Sequence, residues 1–124
     1  MKEREIVEMV DILTEEFKIP KPKVKITNAS RGTYFVTEHL IKVGMKSNFG
    51  PEDLTLHEFA HALTNTRHGK IKRGRKTSWH GPQFVQSLIE IVQAWYGDQE
   101  KYCWQKEYRS LRAYGPPNRK EKKR

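Results

Sequence analysis

Along residues 2–17 the apolar positions Ile6, Met9, Val10, Leu13 and Phe17 recur at intervals of three and four. That spacing puts them on one face of an amphipathic helix. The stretch KIPKPK at 18–23 ends it, because each proline lacks an N–H and restricts the residue before it. The period then drops to two. Val24 and Ile26 alternate with polar residues in KVKIT, and Ile41, Val43 and Met45 share one face of HLIKVGMK, the pattern of half-buried strands. NASRG reads as a turn, and TYFVTE forms a hairpin with the run that follows. The predicted sheet is small, about three strands, antiparallel or mixed.

The helical period returns at residue 51. Gly50 can act as N-cap, Pro51 suits the first helical position, and Glu52 and Asp53 complement the positive end of the dipole. This helix is predicted to reach about Thr66, with Gly69 just past its end. At roughly 100° per residue, Leu56, Phe59, Ala60 and Leu63 make one apolar side. His57 and His61 fall on another, beside Leu54 and Thr64. The helix could therefore pack on the sheet and present both imidazoles to a cleft. A second core helix opens with Gly81 and Pro82, carries Phe84, Val85, Leu88, Ile91, Val92 and Trp95 as a broad stripe, and stops at Gly97. A C-terminal helix is predicted over about 99–113, through Tyr102, Trp104, Tyr108 and Leu111. The expected class is α+β, one domain over 1–114, followed by a basic, disordered tail, GPPNRKEKKR, at 115–124.

Composition narrows the setting. The chain of 124 residues is 31% charged and 35% hydrophobic, enough for one modest core. No apolar run approaches the eighteen or so residues of a membrane span, and the charged start MKEREIVEMV lacks a signal peptide's apolar centre. Cys103 is the single cysteine, which rules out a disulfide framework and a cysteine metal cage. The expectation is a soluble protein of the cytoplasm, or one associated with the nucleoid.

The chemistry concentrates in HEFAH, residues 57–61. Residues i and i+4 lie one turn apart, so two imidazoles can converge on one zinc ion. Glu58 is rotated away from them, which suits it to accept a proton from the attacking water. The competing explanation is a pair of polar histidines without a metal. A third ligand is needed. The extended metzincin pattern wants Gly at 64 and His at 67, where this chain has Thr64 and Arg67. A gluzincin would take an acid from the next helix, but Glu90 points away from that helix's apolar stripe and should face solvent. His80 is the stronger candidate. It sits directly before the second core helix, and 18 residues separate it from His61, ample length to return to the same cleft. His39 and His68 read as ordinary polar residues.

HEFAHAL followed by HGPQF resembles the SprT-like, or Spartan-type, zinc metallopeptidases. That family pairs an HExxH helix with a third histidine in an HGxxF-type segment opening the next helix. The resemblance implies a minimal zincin fold holding one zinc on His57, His61 and His80, with Glu58 as the catalytic glutamate and Gly81 and Phe84 as structural parts of the second segment. It also implies hydrolysis of peptide bonds in DNA-bound proteins. It covers roughly residues 1–96, its specific part being 57–63 and 80–84. The chain departs from the family in a longer, more basic segment between the two motifs and in having no cysteine-based zinc ribbon after them.

Net charge is +9, from 24 Lys+Arg against 15 Asp+Glu, and a small basic domain often meets a polyanion. RHGKIKRGRK, at 67–76, holds six Lys/Arg and no acid, and lies between the ligand motifs. Lys70, Lys72, Arg73, Arg75 and Lys76 are thus candidates for non-specific phosphate contacts with single-stranded DNA or a nucleoprotein. Trp79, Tyr34 and Phe35 could stack on bases or belong to the core. The expected partners are a protein or peptide substrate and DNA, with no membrane. An alternative function is a nucleic-acid-binding module whose zinc site is structural, and a third is hydrolysis of a non-peptide amide. Tyr34, Tyr96, Tyr108 and Tyr114 are equal candidates for stabilising an oxyanion.

Overall fold

The computed structural model describes residues 1–69 and 80–107. Its elements are helix α1 (Glu3–Phe17), strands β1 (Lys23–Thr27), β2 (Thr33–Phe35) and β3 (Leu40–Gly44), helix α2 (Pro51–His68) and helix α3 (Pro82–Tyr96). Two short 3₁₀ turns follow, Gln99–Lys101 and Trp104–Lys106. The architecture is α+β, as the hydrophobic periods predict. No helix among the described residues is long and apolar enough to cross a membrane.

Helix α1 buries the expected Ile6, Met9, Val10 and Leu13. Glu5 accepts the Lys2 backbone N–H at 2.6 Å, and Lys18, in the left-handed region at φ 56°, turns the chain out of the helix before Pro20. The sheet is mixed, in the order β1-β3-β2. β1 runs parallel to β3, with Val24 opposite Ile41 and Ile26 opposite Val43, while β2 and β3 form the antiparallel hairpin. Ile41, Val43 and Tyr34 point into the core. The hairpin is pinned by His39, whose ring bridges the Tyr34 hydroxyl at 2.6 Å and the Pro20 carbonyl at 2.7 Å.

Helix α2 departs from the expected two-sided pattern. Every residue from Asp53 to Thr64 is buried, because α1 and the sheet cover part of it and α3 covers the rest. Its hydroxyls turn inward: Thr55 and Thr64 donate to the carbonyls of Pro51 and Ala60 at 2.7 Å, which satisfies them without leaving the helix. Phe59 and Phe84 are wholly buried, each contributing about 1.5–3 kcal/mol of transfer free energy. Of the predicted stripe, α3 buries Phe84, Val85, Leu88, Ile91 and Val92 and leaves Trp95 partly buried, and it stops at Gly97, as expected.

The predicted C-terminal helix over 99–113 does not form in its described part. Side chains draw the backbone out of the helical pattern there. Asp98 accepts the Glu100 N–H, Asp53 accepts the Cys103 N–H at 3.1 Å, and the Trp104 indole donates to the Gln99 carbonyl at 2.8 Å. The result is a strap of two 3₁₀ turns that buries Tyr102 and Glu107. The expected tail at 115–124 lies outside the described residues.

Candidate metal centre

The middle of one helix and the start of the next build this site. His57 and His61 are four residues apart within α2, so the helical repeat alone puts them one turn apart, their ring centroids 5.1 Å from each other. Pro82 opens α3, and His80 stands two residues ahead of it. The His80 ring comes to 5.3 Å from His57 and 4.9 Å from His61. Phe84 is the common floor: it stacks on His61 at 4.2 Å and lies 5.0 Å from His57 and 5.1 Å from His80. That is the physical reason for an aromatic four residues after His80. Phe49 presses edge-on against His57 from the other side, at 5.7 Å.

His57, His61 and His80 each offer one ring nitrogen, and these three atoms lie within 4.8 Å of one another, close enough to hold a metal ion. The His57 and His80 Nε2 atoms are 3.3 Å apart. His57 Nδ1 is bonded to Glu107 Oε2 at 3.0 Å, and the Tyr102 hydroxyl donates to that same oxygen.

Charge states follow from burial and neighbours. Burial, and then the charges of His57 and His80, hold the His61 pKa well below the usual histidine range. Burial, reinforced by His57 and partly opposed by Glu107, brings His80 down to about 4. Both rings are therefore neutral at pH 7, the state in which a lone pair is available. Burial also pulls His57 down, but the hydrogen bond and charge of Glu107 outweigh it and leave His57 raised. Glu58, 5% exposed, is pushed up to about 7 by burial; His57 works against that rise and Glu107 adds to it.

The other candidates fall elsewhere. Glu90 accepts Arg67 through both oxygens, at 2.7 and 3.2 Å, and lies outside the cluster. His39 belongs to the hairpin pin, and His68 is exposed at the end of α2. Tyr34 is a core residue whose hydroxyl meets His39, and the Tyr96 hydroxyl donates to Asp53. Phe35 is exposed. Lys70, Lys72, Arg73, Arg75, Lys76, Trp79, Tyr108 and Tyr114 lie outside the described residues.

Sequence reasoning missed Glu107 and Tyr102. Tyr102 was read only as part of the predicted C-terminal helix, and no motif marks a carboxylate fifty residues from the histidine it meets. Comparison with protein-family models, curated proteins and solved structures gives no significant match, so the centre is read from its own residues.

Proposed function

We propose that the chain is a zinc-dependent metallopeptidase of the SprT-like kind, with His57, His61 and His80 as ligands and Glu58 as general base. The observation that carries this is the convergence of three ring nitrogens, two from the middle of α2 and one from the residues ahead of α3, beside a buried glutamate. The donor set fits zinc. Tetrahedral Zn–N bonds of about 2.0–2.1 Å separate pairs of nitrogens by about 3.3–3.4 Å, and His57 and His80 stand at 3.3 Å. The widest pair, within 4.8 Å, closes to that spacing by a shift of about 1.5 Å. Neutral imidazoles suit zinc and disfavour magnesium or calcium, which take oxygen ligands.

Zinc held there would polarise a peptide carbonyl and lower the pKa of a water to about 7. Glu58 supplies the proton traffic. A carboxylate oxygen of Glu58 takes the proton as the water oxygen bonds to the carbonyl carbon, then delivers it to the amide nitrogen as the C–N bond breaks. Burial raises the pKa of the Glu58 carboxyl, which makes it a stronger base than an exposed carboxylate. Glu107 keeps His57 in orientation, and Phe84 and Phe49 exclude bulk water from the histidine side.

A second reading, a nucleic-acid-binding module with a structural zinc, is favoured by the burial of His57 and His61, 5% and 3% exposed. Catalytic zinc keeps an open position, and His80 is the one ligand that is only partly buried. The six cations of residues 67–76 suit a polyanion, single-stranded DNA among them, as partner under either reading. The experiment is cleavage of unfolded casein by zinc-loaded protein, with and without single-stranded DNA. Glu58→Gln is expected to retain zinc and lower the rate by about 10²-fold or more. Reversing charge at Lys72, Arg73, Arg75 and Lys76 is expected to weaken DNA binding and flatten its salt dependence. Equal rates for wild type and Glu58→Gln would rule out the catalytic reading.

A further inference from the structure

The two motifs do not complete the metal centre. His57 meets a carboxylate supplied from the far end of the described chain, on the strap after α3. Glu107 is 4% exposed, and burying a carboxylate is unfavourable unless it is paired. Its Oε2 atom receives two donors, the His57 Nδ1–H and the Tyr102 hydroxyl. We infer that Glu107 is the positioning residue of the metal centre, that Tyr102 fixes Glu107, and that the strap thereby forms part of the metal site. This rests on the three-histidine reading above.

Tautomer is the first reason. With its Nδ1 proton given to Glu107, neutral His57 carries its lone pair on Nε2, the atom 3.3 Å from His80 Nε2. Without that acceptor the imidazole would divide between tautomers and could rotate about χ2. Charge is the second. Three neutral imidazoles bring no negative charge to a divalent cation, and Glu107 places an anion in contact with one of them.

The strap is built to hold that carboxylate still. The Cys103 N–H donates to Asp53 Oδ2 in the first turn of α2, at 3.1 Å, and Asp53 also accepts the Tyr96 hydroxyl from α3. The Lys106 ammonium donates to the Asn48 carbonyl just ahead of α2, at 2.8 Å. The Tyr102 ring packs edge-on against Trp104, 4.9 Å between centroids. The middle and the far end of the strap are thus tied to the start of the helix that carries His57 and to the residues just before it.

The test is zinc affinity of the full chain, measured by chelator competition, together with the ¹⁵N–¹H signal of the His57 Nδ1–H. Glu107→Ala is expected to weaken zinc binding about 10–100-fold and to lose the Nδ1–H signal. Glu107→Gln keeps an acceptor without the charge and should fall in between; Tyr102→Phe should weaken binding less than Glu107→Ala. If Glu107→Ala does not fold, Glu107→Gln and Tyr102→Phe carry the test, with circular dichroism of the apo forms as the control. Wild-type affinity and an unchanged Nδ1–H signal in these variants would overturn the inference. His57→Ala and His80→Ala separate the two levels. If they lose zinc while the Glu107 variants keep it, the positioning role alone is wrong; if they too keep it, the three-histidine reading is wrong.

Discussion

His57 bonds outward through Nδ1 to Glu107 and faces His80 through Nε2, and this division sets how metal binding responds to pH. His61 and His80 are already neutral at mildly acid pH, His80 at about 4. The protons a metal must displace therefore sit on His57, which is raised, and on Glu58, at about 7. Both groups would hold more proton without the cation than with it, so zinc affinity is expected to rise with pH across that window. Replacing Glu58 by Gln removes one of the two protons. In that variant affinity should rise by about one log unit per pH unit between about pH 5 and 6, and more steeply in wild type. Chelator competition over that range measures both slopes; a slope of two in Glu58→Gln would place a proton on His61 or His80. At this scale the ligands were legible because helix spacing and a helix start fix them. Glu107 was not, since its place depends on tertiary contacts that bring residue 107 to residue 57.

At the scale of elements, the proline and glycine boundaries of α2 and α3 could be read directly from local chemistry. The all-round burial of α2 could not, because His57, Glu58, His61 and Thr64 are polar and find their partners only in the folded protein. The strap defeated the helical pattern for a related reason: Asp53 and Asp98 compete for its backbone donors. The parallel pairing of β1 with β3 was likewise open, since a period of two is the same for either direction. Gly44, at the end of β3, shows how tightly the sheet meets its turn. A Cβ there would collide with the carbonyl oxygens of Ala29 and Arg31, whereas one at Gly97 would meet open space. Gly97→Ala should lose about 1–2 kcal/mol from its left-handed backbone alone. Gly44→Ala should lose more, at or above the top of the about 1–3 kcal/mol range for overpacking. Urea unfolding orders the two, and a milder effect at Gly44 would contradict the close approach.

Across the described residues, three helices and a three-stranded sheet leave the candidate metal centre where the middle of α2, the start of α3 and the strap meet. The motif spacing, HExxH and then a histidine ahead of the next helix, already implied a fold that brings residues 57 and 80 together. A substrate would be chosen instead by surfaces whose shape a linear pattern does not encode, and the charge of +9 is a property that many kinds of partner, or none, would fit. The central claim is that His57, His61 and His80 hold zinc, with Glu58 beside it for chemistry and Glu90 engaged elsewhere. Zinc content after dialysis, compared across wild type, His80→Ala, Glu58→Gln and Glu90→Ala, tests it most directly. About one zinc per chain is expected in wild type, Glu58→Gln and Glu90→Ala, and loss of zinc in His80→Ala. Zinc retained by His80→Ala and lost from Glu90→Ala would contradict it.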